Sequence, residues 1–456
     1  MASSNYARAA ATLNGPHTPS SIAARLDRLP LSGWHRRMVL LIGLGSFFNL
    51  FEIALGSFFG VLLAAQWSLS IVDRSMIIGA LFLGEMIGSL LLAPLADRLG
   101  RRILFQVNLL TYAVLSLMTA FAPNLGVFLV LRLLTGIGLG AELTLVDTYL
   151  SELLPKARRG RYVAWSYTFG LLAVPLAGGL AIAANGTIAG LAGWRWLLIF
   201  AACGGLTVWL VRRHLPESPR WLAATGNTTE ADRVLTAIEH QAQPVDPPVP
   251  MPPALPPAVA DPLPPGRYRR RTVLMWAMQI ASPIGFYGFA SIAPIVLLAK
   301  GFDLAHSLTY SALTALGYPL GSLVSVYLTE RVERRSLLIA STLASGVFGL
   351  AFGLASSIGV VIAAGIATTI STVMQSNFTH IYQAELFHTA NRSTAIGLPY
   401  AASRMVGALL PLGALTLLSA IGSGGLYACC AVLLGAMAGT IRLLGPRTNN
   451  QQLDTI

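Results

Sequence analysis

Charge is scarce in this 456-residue chain: Asp, Glu, Lys and Arg together make up 11% of it, against roughly a quarter in soluble domains. With 54% hydrophobic residues, that scarcity excludes a soluble enzyme and a disordered chain. Cysteine is also rare. Cys203, Cys429 and Cys430 lie in apolar runs without metal-ligand spacing or an even disulfide framework, and they are expected to be inert core residues. No apolar run precedes residue 38, so residues 1–37, with Arg8, Arg25, Arg28, Arg36 and Arg37, read as a cytoplasmic tail and not as a cleavable signal peptide. His380 and His388 have no accompanying metal motif, and Gly136, Gly138 and Gly140 follow no strand. Neither a metal, a bound cofactor nor a catalytic constellation is indicated, and the chain is not expected to be an enzyme.

Long apolar runs are what the chain has in abundance. About 20 apolar residues cross a bilayer as a helix, and these runs lack the alternation of barrel strands. Twelve transmembrane helices are predicted near 38–62, 74–96, 103–121, 124–151, 161–184, 192–213, 272–299, 307–329, 336–355, 357–384, 393–417 and 422–443. The fold class is therefore an all-α membrane protein. The shortest links are those between spans 3 and 4 and between spans 9 and 10.

An excess of 31 Lys and Arg over 19 Asp and Glu would suggest a nucleic-acid partner in a soluble protein, but its location argues otherwise. Of the 31, 26 fall in the tails, in the links that share their side or at the span ends that abut them; Arg74, Arg195 and Lys300 fall on the other side, and Arg132 and Arg404 deep inside spans. By the positive-inside rule both termini are cytoplasmic, in a plasma or inner membrane. No nucleic-acid partner is implied.

An offset of 233 residues recurs. It carries His35-Arg36-Arg37 onto Tyr268-Arg269-Arg270, Gly84, Gly88 and Ser89 onto Gly317, Gly321 and Ser322, DRLGRR at 97–102 onto ERVERR at 330–335, and Glu152 and Arg159 onto Glu385 and Arg392. The pattern predicts two six-helix halves, 38–213 and 272–443, in parallel orientation about an axis along the membrane normal, a recurring plan of secondary transporters. Residues 214–271 link them, with a proline-rich run at 244–265 expected to be an extended spacer and a short surface helix expected after Thr228-Thr229-Glu230; residues 444–456 form a second cytoplasmic tail.

Asp97, Arg98, Gly100, Arg101 and Arg102, with the second copy Glu330, Arg331, Arg334 and Arg335, resemble the loop signature of the major facilitator superfamily, although Ala93 stands where that signature has glycine. Pro216-Glu217-Ser218-Pro219-Arg220 and the pairs Glu152/Arg159 and Glu385/Arg392 are similar to sugar-porter signatures, and RLLTGIGLGAEL looks like the bacterial metabolite:proton symporters, including niacin-type and aromatic-acid-type carriers. The resemblance implies that these charges form a cytoplasmic network stabilising the outward-facing state.

Charges inside spans are expensive and mark function by default. They are Glu52, Glu85, Arg132, Glu142, Asp147 and Arg404. At about 1.5 Å per residue, Glu52 and Arg132 lie roughly 15 and 12 Å below the outer face, which permits an ion pair, and the resembled porters use an acid and an arginine there to couple a proton. Asn49 stands where the aromatic-acid carriers have a first acid. Arg404, near the midplane, is shaped for a bidentate carboxylate; the alternative is a structural arginine paired with a neighbouring acid. Glu142 is expected to line the cavity and Asp147 to join the cytoplasmic network. Glu85 is open between a pathway and a structural role. Gln279, Ser282, Tyr287, Gln375, Asn377 and Tyr382 are candidate cavity polars, and the glycine string is expected to permit close helix packing.

Together these features predict a monomeric, proton-driven symporter taking up a small carboxylate or aromatic metabolite by alternating access. Glu52 and Arg132 would carry the proton, and Arg404, Asn49, Glu142, Gln279, Tyr287 and Asn377 the substrate. A sugar facilitator or sugar:proton symporter is the alternative, and a drug:proton antiporter a weaker one.

Overall fold

The computed structural model of the protein describes residues 19–155, 158–184, 186–242, 265–301, 310, 313–387 and 392–448. The helices are α1 Pro19–Arg28, α2 Gly33–Leu62, α3 Ile71–Leu99, α4 Arg101–Ala120, α5 Leu125–Leu139, α6 Glu142–Leu153, α7 Arg159–Leu171, α8 Ala173–Ala183, α9 Gly193–Arg212, α10 Pro219–Ala224, α11 Thr228–Gln241, α12 Pro265–Ala299, α13 Gly317–Leu328, α14 Arg334–Leu354, α15 Ile358–Leu386 and α16 Arg392–Leu444, with a four-residue turn of helix at Ala64–Trp67. A two-stranded hairpin, Thr187–Ile188 with Leu191–Ala192, precedes α9. Among the described residues nine helices are long and apolar enough to cross a bilayer, and Leu313–Leu328 and Ala395–Leu410 are shorter apolar ones. Gly422, at φ 70°, interrupts α16, so the last two expected spans lie on its two limbs.

Local chemistry sets several boundaries. Ser70 and Asp73 form a reciprocal capping box at the start of α3, with Ser70 N donating to Asp73 Oδ2 at 2.9 Å and Asp73 N to Ser70 Oγ at 3.2 Å. This satisfies amide groups that a helix start leaves unpaired. Asn124 caps α5 through Val127 N, which explains how α4 and α5 turn within so few residues. Lys300 donates to the carbonyls of Phe352, Gly353 and Ala355 at the end of α14; burial holds its ammonium below the usual lysine pKa.

In the first bundle α2 packs on α7, α8 and α9, and α4 on α5 and α9; in the second α12 packs on α16, and α14 on α15 and α16. The bundles meet along α3 with α16 and α7 with α13. The 233-residue offset reappears in packing. A Cβ on Gly88 would lie 2.2 Å from Ile137 O and one on Gly321 2.6 Å from Ile370 O, so the same glycine admits the same neighbour in each half. Leu91, Val107, Val347 and Leu443 are more than 45% exposed, as expected of faces turned to lipid.

Two expectations, on the cysteines and on Arg212, need correction, and the first tail holds a helix. Cys203 and Cys429 are exposed, and Cys430 is partly so; small thiols are tolerated on outward helix faces and need no core. The first tail contains α1, whose Ile22 and Leu26 bury against Leu222, Ala223, Ala231 and Leu235 of the linker helices, with Arg25 held by Asp232 and Glu239. Its apolar residues are too few to signal a span but suffice for one face of a short helix. Arg212, counted among loop cations, is wholly buried. The proline-rich run and His388 lie outside the described residues, as does the side chain of Arg392.

Candidate functional site

Three buried polar clusters stack between the helices. The first lies inside the first bundle. Arg132 Nη1 of α5 donates to Glu52 Oε2 of α2 at 2.5 Å, and its Nη2 to Glu52 O at 3.0 Å. Ser116 of α4 donates to the other carboxylate oxygen, and the Phe59 ring lies 5.3 Å from the guanidinium. Glu52, Ser116 and Arg132 are all fully buried. The similar depths of Glu52 and Arg132 indicated that they could meet; Ser116 carried no signal, because one hydroxyl in an apolar helix resembles any other.

The second cluster bridges the bundles. Arg404 Nε of α16 lies 2.9 Å from Glu85 Oε2 of α3, close enough for an ion pair but off-axis for a hydrogen bond, and Glu85 Oε1 has no hydrogen-bond partner. Arg404 Nη1 donates to the Tyr287 hydroxyl of α12. The guanidinium carbon sits 4.3, 5.4 and 5.7 Å from the rings of Tyr400, Tyr287 and Phe82, and π faces of this kind stabilise a desolvated cation. Glu85 therefore takes the neighbouring-acid place left open by the sequence.

The third cluster overturns the assignment of Asp147. Instead of joining the charges at the helix ends, Asp147 Oδ2 lies 2.7 Å from His380 Nδ1 and accepts from Gln383 Nε2 at 2.5 Å, while Oδ1 accepts from the Tyr167 hydroxyl at 2.8 Å. Gln279 Nε2 donates to Gln383 Oε1 at 2.6 Å. Asp147 lies deep enough in α6 to meet α15 before either helix reaches the loops. His380, considered in the sequence only as a metal ligand, is the partner that was missed.

Between the second and third clusters is a cavity of about 40 Å³, bordered by Gln279, Tyr287, Asn377, His380, Ser403 and Arg404 among others. Ligand sites for small molecules measure several hundred Å³, so the bundles are closed on one another here. Of the expected substrate residues, Arg404, Gln279, Tyr287 and Asn377 line this cavity. Asn377 donates to Ser322 Oγ at 2.9 Å, and Ser322 pairs with Thr168 of the first bundle at 2.7 Å. Asn49 does not line it: it is buried on α2, and its neighbour Leu50 supplies the lining. Glu142 does not line it either: it turns aside to accept from Arg212 Nη1 at 2.7 Å, while Arg212 also donates to Leu41 O and Ile42 O. A hundred degrees of helical rotation per residue puts Leu143, not Glu142, on the cavity face.

The loop charges gather at one end, here called the basic end. Arg101 pairs with Asp97 at 3.0 Å and Glu152 at 3.1 Å; at the equivalent positions of the second bundle Arg334 pairs with Glu385 at 2.9 Å. Glu217 accepts from the amides of Arg101, Arg102 and Ser218, seating a carboxylate on the positive end of α4. Burial nevertheless holds its pKa above the usual carboxylate range. Arg220 donates to Glu152 O and, with Arg159, meets Asp27 of α1. Arg161 and Glu330 approach across the bundles at 3.8 Å. Arg98 and Arg331 are exposed, and Arg331 stacks on Tyr327.

Two closed helical bundles in parallel repeat, charged groups buried where they meet and a cavity between them define a major facilitator transporter. Residues 38–456 match the family described as "Sugar (and other) transporter", and the chain belongs to that family. It is 30% identical over 455 residues to YyaJ of Bacillus subtilis (strain 168), covering 96% of this chain and 98% of that one. It is 26% identical to the niacin transporter NiaP of Acinetobacter baylyi (strain ATCC 33305 / BD413 / ADP1), covering 95% and 99%. The solved structure of the proton:xylose symporter XylE bound to 6-bromo-6-deoxy-D-glucose superposes with a TM-score of 0.76 at 17% identity, covering 92% of this chain and 98% of that one.

Proposed function

We propose that the protein is a proton-coupled importer of a small carboxylate or aromatic acid, working by alternating access, with its basic end and both termini in the cytoplasm. Arg404 carries this reading. A guanidinium buried in an aromatic cage at the wall of a cavity between the bundles presents a forked donor in a low-dielectric setting, the arrangement that recognises carboxylates. Tyr287 and Phe286 offer ring faces beside it, and Gln279 and Asn377 offer amides. The niacin of the relative's name is an acid of this kind. Glu52 and Arg132 form the proton-coupling pair: a carboxylate held by arginine stays ionised, and one parted from it in an apolar setting takes a proton. Residues 214–271 tether the halves, the basic-end charges latch them, and one chain suffices because the cavity lies within it. The proton gradient is the driving force.

The test is uptake of labelled nicotinate and benzoate into proteoliposomes carrying an imposed proton gradient. Accumulation above equilibrium that collapses with a protonophore is expected, and Arg404→Ala should abolish it while the protein remains folded. Normal apparent affinity for the acid in Arg404→Ala would overturn the reading. A sugar:proton symporter is the second reading, favoured by the uncharged amides and hydroxyls of the cavity wall and by the sugar-bound XylE fold; D-xylose in the same vesicles separates the two.

A further inference from the structure

Glu85 is the charged residue nearest the proposed anion site for which the proposed cycle has no use. It is 2% exposed, on α3 of the first bundle, and its counter-ion Arg404 belongs to the second. The pair is imperfect: the guanidinium N–H does not point at Oε2, and Oε1 has no hydrogen-bond partner. Arg404 borders the cavity, so an entering carboxylate would reach the same guanidinium. One guanidinium can satisfy either carboxylate fully, and the displaced one would be left charged in an apolar interior.

We propose that Glu85 is a coupling residue: a substrate carboxylate takes Arg404 from it, and Glu85 then takes up one proton. This rests on the reading of Arg404 as the anion site. The step balances: the anion enters with its charge, the Arg404–Glu85 pair opens, and a proton from solvent bonds to a Glu85 carboxylate oxygen, leaving a neutral acid and a new Arg404–anion pair. An unpaired buried carboxylate costs several kcal/mol, and neutralisation is the ordinary escape. The exchange also removes the ion pair that ties α3 to α16, so loading the site loosens the join between the bundles.

The neighbours of Glu85 permit this. From α16 it faces Arg404, beside Tyr400, and from α12 Tyr287. From α5 it feels Arg132, whose charge is already met by Glu52 of α2. Glu142 of α6 is committed to Arg212, and the arginines of α4, Arg101 and Arg102, lie at the basic end. No second cation beside Arg404 and Arg132 is on hand among the described residues to hold Glu85 once Arg404 is taken.

The experiment measures anion binding and proton uptake together, on the purified full chain in weakly buffered detergent with nicotinate and benzoate as probes between pH 6 and 8. Uptake of about one proton per anion is expected where Glu85 is ionised in the free protein and neutral in the complex, with affinity falling tenfold per pH unit over that same range. Glu85→Gln should bind the anion with pH-independent affinity and no proton uptake, whereas Glu230→Gln, at a surface pair with Arg233 on α11, should keep both. Binding without proton uptake in the unaltered protein, or pH dependence that survives Glu85→Gln and vanishes in Glu52→Gln, overturns the coupling role and leaves the anion site standing. Binding of neither probe overturns the anion site and this inference with it.

Discussion

Asp147 and His380 are 233 residues apart in the chain and 2.7 Å apart in space. That separation is the repeat offset itself, so the two side chains occupy equivalent positions of the two halves and meet on the axis that relates them. Positions on such an axis are the ones where a duplicated chain touches its own copy, and here divergence has left an acid facing an imidazole. Ser89 and Ser322, another equivalent pair, each bond to the opposite bundle, one to Gly397 O at 2.7 Å and the other to Thr168 at 2.7 Å.

Removing the charge of Asp147 should weaken the closed join on the basic side of the cavity. Thr329, fully buried and packed on Gly160, offers a reporter position. In a chain without its native cysteines, Thr329→Cys should be labelled several-fold faster by an impermeant maleimide when Asp147→Asn is added. Unchanged labelling would show that the axis cluster does not hold the bundles together.

The Glu52–Arg132 pair should behave as a buried charge pair in stability as well as in transport. Arg132→Ala leaves a carboxylate stranded and should cost about 3–5 kcal/mol, read as a lowered midpoint of thermal unfolding in detergent. Glu52→Gln combined with Arg132→Met should recover most of that loss. Equal loss in the single and double variants would contradict it.

Gly136 lies on α5 where a Cβ would stand 2.2 Å from Leu81 O of α3. Backbone cannot swing aside as a side-chain tip can, so Gly136→Val should destabilise by about 1–3 kcal/mol or more through overpacking. Gly413→Ala, with open space around it, is the control and should leave yield and midpoint unchanged.

Glu217 should make stability depend on pH. Burial raises its folded pKa, so the folded protein retains a proton that the unfolded chain gives up. Its contribution is therefore fully present below the ordinary carboxylate range and is lost as pH rises through the raised value. Glu217→Gln, neutral throughout, should flatten the unfolding midpoint between pH 4 and 7 relative to the unaltered chain. An unchanged slope would assign the dependence to other groups.

Helix positions were legible because membrane spans announce themselves by long apolar runs, and the links at 121–124 and 355–357 fell where turns occur. The linker helix after Thr228 was legible from its cap-forming residues, and Asn227 does accept from Glu230 N. Glu52 and Arg132 could be matched by depth alone, as could the close-packing glycines by their spacing. Glu142, Asp147 and Arg212 could not be placed, because rotation about a helix decides a side chain's partner and periodicity gives no absolute angle in helices that are apolar on most sides. Asp27 of α1 was invisible for another reason: its partners, Arg159 and Arg220, lie more than a hundred residues away.

The 11% of residues that carry charge determined, by sequence alone, the membrane class, the repeat and the small set of residues worth examining, since hydropathy and spacing are one-dimensional properties. Only the tertiary structure decided which charge meets which. Arg404 with Glu85 and Asp147 with His380 are contacts between halves, set by how two bundles pack, and their burial in a low dielectric makes the choice of partner a matter of several kcal/mol.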